Sequence, residues 1–211
     1  MKLYDFLPCP FGQKVRIILA EKGLSYELVQ IDLTQAEQRR PEFLRLNPFG
    51  RVPVLVDEDT TIYDSTIIAE YLEDEYPEPP LLPAVGSSAL RAQARMWEDF
   101  ADTLFTIQVG QLMAEMAKPE PERDPSRIQR FQQSIDGMLS FLNRQLQSQE
   151  FLASQFSVAD IGFVPRLLVL NELGVDPSAN RGNIEGWIKR MLERPSIQNL
   201  QGVTTQFLAG V

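Results

Sequence analysis

The chain has 211 residues, 44% hydrophobic and 23% charged, a globular balance long enough for a sizeable core and two packed domains. Its 20 Lys and Arg against 29 Asp and Glu leave a net charge of −9 and a pI near 4.7, which argues against nucleic acid or an anionic membrane surface as partner. With no histidine and one cysteine, imidazole catalysis, Ser-His and Cys-His pairs, the usual zinc sites and any internal disulfide are excluded. No apolar run approaches the roughly 20 residues that span a bilayer, and the N-terminus lacks a signal-peptide pattern, so a cytoplasmic location is expected. Neither a Walker loop nor a dinucleotide glycine fingerprint is found. What remains is the chemistry of one thiol, of hydroxyls, or of a bound small molecule, with no metal.

Lys2-Leu3-Tyr4-Asp5-Phe6-Leu7 alternates polar and apolar residues, as a half-buried strand does. Val15, Ile18, Leu19 and Lys22 then recur at helical spacing, and Gly23 supplies a stop. Between them Pro10 suits the first helical position, which makes Cys9 the N-cap. A sulfur placed there lies near unpaired backbone N–H groups and the positive end of a helix dipole, an arrangement that favours the reactive thiolate. The alternative at this position is a small apolar core residue.

Tyr26 to Leu33 alternates again, and two strands separated by a helix predict a parallel β-α-β unit. Gln35 to Arg40 is polar and reads as a surface segment, followed by a helical turn over Pro41–Asn47 that Pro48 ends. Val54–Val56 and Thr61–Tyr63, joined by Glu58-Asp59-Thr60, predict an antiparallel hairpin with Pro53 at the first strand position. Asp64-Ser65 opens a helix carrying Ile67, Ile68, Tyr71 and Leu72, a start that serves either as a plain cap or as a carboxylate site.

The prolines between Pro77 and Pro83 place a linker over 77–86, separating an α/β domain at 1–76 from a helical domain at 87–211. One long helix is predicted over 87–116, with one stripe from Leu90 through Ala101 and Leu104 to Gln108 and a second through Phe105, Val109, Leu112 and Met116. A second helix carries Ile128, Phe131, Ile135, Met138, Leu142 and Leu146. Ser157-Val158-Ala159-Asp160 fits a capping box ahead of a central helix over 161–170, which Pro165 should bend. Shorter helices over 183–192 and 197–207 close the bundle.

Three stretches carry a family resemblance: Asn47-Pro48-Phe49-Gly50-Arg51-Val52-Pro53-Val54-Leu55, Asp64-Ser65-Thr66-Ile67-Ile68 and Ser157-Val158-Ala159-Asp160. In this order the chain resembles the cytosolic glutathione transferases, which implies a thioredoxin-like N-terminal domain followed by an all-α helical bundle. It also implies glutathione as co-substrate and a homodimer. By that resemblance Val52, ahead of a cis Pro53, pairs its main chain with the cysteinyl unit of glutathione. Asp64 and Ser65 hold the γ-glutamyl end, and Arg40 contacts the glycyl end. The segment from Cys9 to Arg16 looks most like the cysteine motif of the omega class, since the tyrosine of other classes would fall near Phe6 or Leu7 and the serine of theta and zeta types near Cys9.

The implied activity is conjugation of glutathione to small hydrophobic electrophiles in detoxification, with Cys9 as the catalytic residue. The electrophile would sit between the domains, with Leu7, Phe11, Phe105, Gln108 and Leu112 as walls, residues equally explained as core. An alternative is thiol–disulfide exchange or dehydroascorbate reduction by Cys9 through a mixed disulfide, a monothiol route because no second cysteine follows. A third reading is a non-enzymatic carrier or interaction module on the same fold.

Overall fold

The computed structural model describes residues 1–200. The chain divides into two compact units, Met1–Leu81 and Leu82 onward. The first unit runs β1 (Lys2–Asp5), α1 (Pro10–Glu21), β2 (Glu27–Gln30), α2 (Pro41–Leu44), β3 (Val54–Asp57), β4 (Thr60–Tyr63) and α3 (Ser65–Glu75). Its sheet has the order β2-β1-β3-β4, with β1 parallel to β2 and the other pairs antiparallel. This is the thioredoxin-like arrangement expected from the strand and helix order.

The predicted stripe of α1 is buried, but so is every residue from Gly12 to Leu19. Gln13, Lys14 and Arg16 are therefore core residues that need polar partners. Lys22, the C-cap of the same helix, pairs with Glu73 of α3 at 2.8 Å and also donates to the carbonyls of Tyr76 and Pro79. Glu73 in turn accepts from the Leu81 amide, so one buried ion pair ties both helices to the segment after α3.

The second unit is all helical: α4 (Ser88–Asp99), a π-helical turn (Phe100–Phe105), α5 (Thr106–Met116), α6 (Pro125–Gln145), α7 (Val158–Ile161), α8 (Val164–Leu167), α9 (Gly182–Leu192) and α10 (Pro195–Gln198). The π turn explains why the long helix shows two apolar stripes. It adds a residue to the turn and rotates everything beyond it. Ala94 is buried before it, Ala101 and Phe105 within it, and Val109 and Leu112 after it, while Leu104 in the turn is left half exposed.

The capping box forms as expected. Ser157 caps Ala159, and Asp160 reaches back to the Ser157 amide at 3.1 Å. Asp160 also accepts from the Leu152 amide and from Trp187 Nε1, all within a buried cluster. The helix expected over 161–170 is corrected: α7 ends at Ile161 and α8 restarts at Val164, with Pro165 in the first turn of the new helix rather than inside one bent helix. Gly162 fills the break because a Cβ there would stand 2.9 Å from Ala101 Cβ. Of the closing helix expected over 197–207, α10 covers only the start, and residues 201–207 lie outside those described.

Candidate functional site

Cys9 is the N-cap of α1, with extended dihedrals (φ −67°, ψ 121°) and Pro10 in the first turn. Its amide donates to the Phe6 carbonyl at 2.7 Å, and its own carbonyl accepts from Gln13 N at 2.9 Å. The thiol is half-buried. The Cys9 side chain makes no capping hydrogen bond to the first turn, and its position at the N-cap sets the sulfur at the positive end of the helix dipole.

Backbone register gathers the rest of the first unit's candidates. Val54, the first residue of β3, pairs with Tyr4 of β1 and with Tyr63 of β4. The residues one step beyond that row are therefore the end of β1, the Val52-Pro53 segment and Asp64-Ser65, all at one end of the sheet. Val52 precedes the paired residues of β3, and its peptide bond to Pro53 is cis, as the resemblance implied. The loop that delivers it is fastened by buried Asn47, whose side chain donates to the Arg51 carbonyl at 2.8 Å and accepts from Phe49 N at 3.0 Å. Gly50 has φ +62°, and a Cβ there would stand 2.9 Å from the Gln38 carbonyl.

Asp64 caps α3, its Oδ1 accepting from the amides of Thr66 (3.0 Å) and Ile67 (3.4 Å) with φ 76°. The capping work is thus done by the carboxylate and not by Ser65, which is buried at the first helical position. Lys14 of α1, fully buried, donates to Thr66 Oγ1 at 3.1 Å, which brings the helix begun at Cys9 against the first turn of α3. Arg40 is exposed on the unit's surface and paired with Glu37 Oε1 at 2.9 Å.

Beneath the Cys9 turn lies a polar cluster that the sequence reading did not assign. Asp5 is fully buried, and its Oδ2 stands 3.1 Å from Arg16 Nε, an ion pair not aligned as a hydrogen bond. Burial pushes the Asp5 carboxyl up to about 7, against the pull of Arg16 and of the Phe6 amide. The signal was present: Asp5 occupies the same inward phase of β1 as Leu3. Beside the turn, Phe6, Leu7, Gln30, Ile31, Asp32, Thr34 and Glu37 line a cavity of about 360 Å³, within the range of small-molecule pockets.

Of the expected pocket walls, Leu7 borders this cavity and Phe11 is half-buried on α1. In the helical unit Phe105 and Leu112 are fully buried, the Phe105 ring packing 5.3 Å from that of Phe163, and Gln108 is half-buried. Among the described residues no cluster of potential metal ligands occurs, and no helix is long and apolar enough to cross a membrane.

A four-stranded sheet of this order, with a cis proline ahead of β3 and a thiol capping the first helix, defines a thioredoxin-like domain, here followed by a helical one. Residues 3–80 match the model of the glutathione S-transferase N-terminal domain, and residues 105–195 match that of the C-terminal domain. The chain belongs to the glutathione S-transferase family. It is 34% identical over 199 residues to a stringent starvation protein A homolog from Pasteurella multocida, covering 92% of this chain and 86% of that one. Over 95 residues it is 47% identical to a zeta class glutathione S-transferase from Euphorbia esula, covering 44% and 42% of the two chains. A glutathione transferase from Phanerochaete chrysosporium, solved with oxidized glutathione, superposes with a TM-score of 0.87 at 28% identity, over 100% of this chain and 97% of the other. The names of these relatives agree on no class, so they support the family and not a class within it.

Proposed function

We propose that the chain is a glutathione transferase that conjugates glutathione to small hydrophobic electrophiles. The observation that carries this reading is the convergence of Val52, Asp64 and Ser65 with the end of β1 at one end of the sheet, each offering a different recognition chemistry. Val52 lies ahead of the paired part of its strand, which suits capture of a short peptide by strand addition. Ser65 offers a hydroxyl at a helix start for a carboxylate, and Asp64 a negative charge for an ammonium. Arg40 serves the glycyl carboxylate by leaving its partner Glu37. Leu7 and Phe11 face the electrophile from this unit. The relative solved with oxidized glutathione supports glutathione as the ligand.

A second reading is favoured by the residue at the N-cap itself. A thiol, unlike a hydroxyl, can form a mixed disulfide with glutathione, so Cys9 suits thiol–disulfide exchange or dehydroascorbate reduction. The likeness to a stringent starvation protein A homolog, whose name denotes no transferase, keeps a non-enzymatic interaction module as the opposing reading. Retention on immobilised glutathione together with turnover of a generic electrophile establishes the transferase. Retention with turnover of disulfides alone establishes the second reading. Absence of both retention and turnover sinks the two enzyme readings and leaves the module. We also read the protein as a cytoplasmic homodimer, for which Phe49, 63% exposed and stacked edge-on against Tyr63, offers apolar surface.

A further inference from the structure

The turn that carries Cys9 is held from below by side chains with no assigned role. The Leu7 carbonyl accepts from Arg16 Nη2 at 2.6 Å and from Gln13 Nε2 at 3.3 Å. Arg16 is oriented in turn by Asp5, and Asp5 also accepts from the Phe6 amide at 2.8 Å. Gly12 makes the approach possible, because a Cβ there would stand 1.8 Å from Asp5 Oδ1. Only Pro8, with its fixed φ, separates the gripped carbonyl from Cys9.

We propose that Asp5, Arg16 and Gln13 are positioning residues that clamp the Leu7 carbonyl, and thereby fix both the Cys9 thiol and the Leu7 side of the neighbouring cavity. The reason to read the cluster as more than packing is its cost. Three apolar side chains would fill the same space without desolvating a carboxylate, a guanidinium and an amide. Gln13 Oε1 is buried with no hydrogen-bond partner among the described residues, so Gln13 keeps its amide to supply one donor to Leu7. Arginine is needed at 16 because a fork can reach Asp5 through Nε and Leu7 through Nη2 at once, and an ammonium has no second arm in that geometry.

The clamp is sensitive to pH through Asp5. The groups that act on it electrostatically are Arg16 of α1 and Tyr26 in the segment before β2. Deprotonated, Asp5 holds Arg16 by charge; protonated, it gives up that attraction and the grip on Leu7 loosens. With the carboxyl pushed up by burial to about 7, the change falls in the neutral range.

This inference deepens the reading of Cys9 as the reacting group, but its test needs no glutathione. Because Cys9 is the sole cysteine, iodoacetamide alkylation reports that thiol alone. Rates are measured from about pH 5.5 to 9.5 for wild type, Asp5→Asn, Arg16→Lys and Gln13→Met, native and in urea. Wild type is expected to show an inflection near 7 besides that of the thiol, and Asp5→Asn to lose it. Arg16→Lys and Gln13→Met should each change the plateau rate about threefold or more in the native state, since small displacements of a reacting group alter rates strongly, and leave the rate in urea unchanged. Should Asp5→Asn fail to fold, the other two decide. Gln13→Met is the cleanest, because it removes an incompletely satisfied buried amide at nearly constant volume. Folded variants with the wild-type profile would overturn the clamp. Altered profiles in a protein without glutathione turnover would keep the clamp and sink the transferase.

Discussion

At the scale of single residues, Cys9 and Ser65 separate the competing chemistries. Thiol–disulfide exchange needs a sulfur nucleophile, so Cys9→Ser should lose essentially all of it. Conjugation uses the sulfur of glutathione, which the protein need only stabilise, and a hydroxyl is the stronger donor. The same variant should therefore keep or gain conjugating activity. Assaying both reactions on folded protein tests this, and two unchanged rates would make Cys9 a packing residue. Ser65→Ala should weaken glutathione binding by roughly ten- to a hundredfold, about 1.5–3 kcal/mol for a hydrogen bond to a carboxylate. The structure sharpens that test, because Asp64 provides the helix cap and the Ser65 substitution leaves it in place. Calorimetry showing undiminished affinity would remove Ser65 from the site.

At the scale of elements, Asp160 is the polar joint of the helical unit, receiving Leu152 N, Ser157 N and Trp187 Nε1 in a buried cluster. Asp160→Ala leaves those donors stranded and should cost about 3–5 kcal/mol, read as a lowered urea midpoint with the thioredoxin-like unit as internal reference. A loss under about 1 kcal/mol would mean that the cluster rearranges. Elements of this kind were legible in the sequence where local chemistry decides them. Ser157 and Asp160 three apart, Pro10 after Cys9, and the alternation through β1 each carry their own instruction. The π turn was not legible, because nothing within Phe100–Phe105 calls for it and Gly162, which packs against Ala101 in the turn, lies about sixty residues on. The clamp under Cys9 was missed for a different reason. Helical periodicity assigns polar positions to solvent by default, and α1 is buried on every side from Gly12 to Leu19. The Asp64-Ser65 start was visible, but which of the two oxygens caps the helix depended on the backbone at Asp64, with φ 76°.

At the scale of the whole molecule, the homodimer reading predicts a light-scattering mass of twice 24.0 kDa at micromolar concentration, and the mass of one chain would count against it. Stability should also depend on pH through Asp5. Its native pKa is raised from 3.8 to about 7, so the folded chain binds this proton more tightly than the unfolded one. The contribution is fully present below 3.8 and is lost as pH rises through about 7, on the order of a few kcal/mol. Urea titrations at several pH values should show Asp5→Asn gaining on wild type as pH rises across that window. Parallel curves would show that the carboxyl titrates normally. The shared pairing of Val54 with Tyr4 and Tyr63 has a further consequence for how this architecture tolerates change. Two ladders are indexed to one residue, so the spacing of Val52 from Ser65 is counted in whole peptide steps of about 3.3 Å. One residue inserted within β4, between Thr61 and Ile62, would move Asp64 and Ser65 by a full step and reverse the faces beyond it, whereas the same insertion at Gln35 would leave the count intact. Length variation is thus open to the loop after β2 and closed to the hairpin strands, a restriction that acts on the chain's arithmetic before it acts on any side chain.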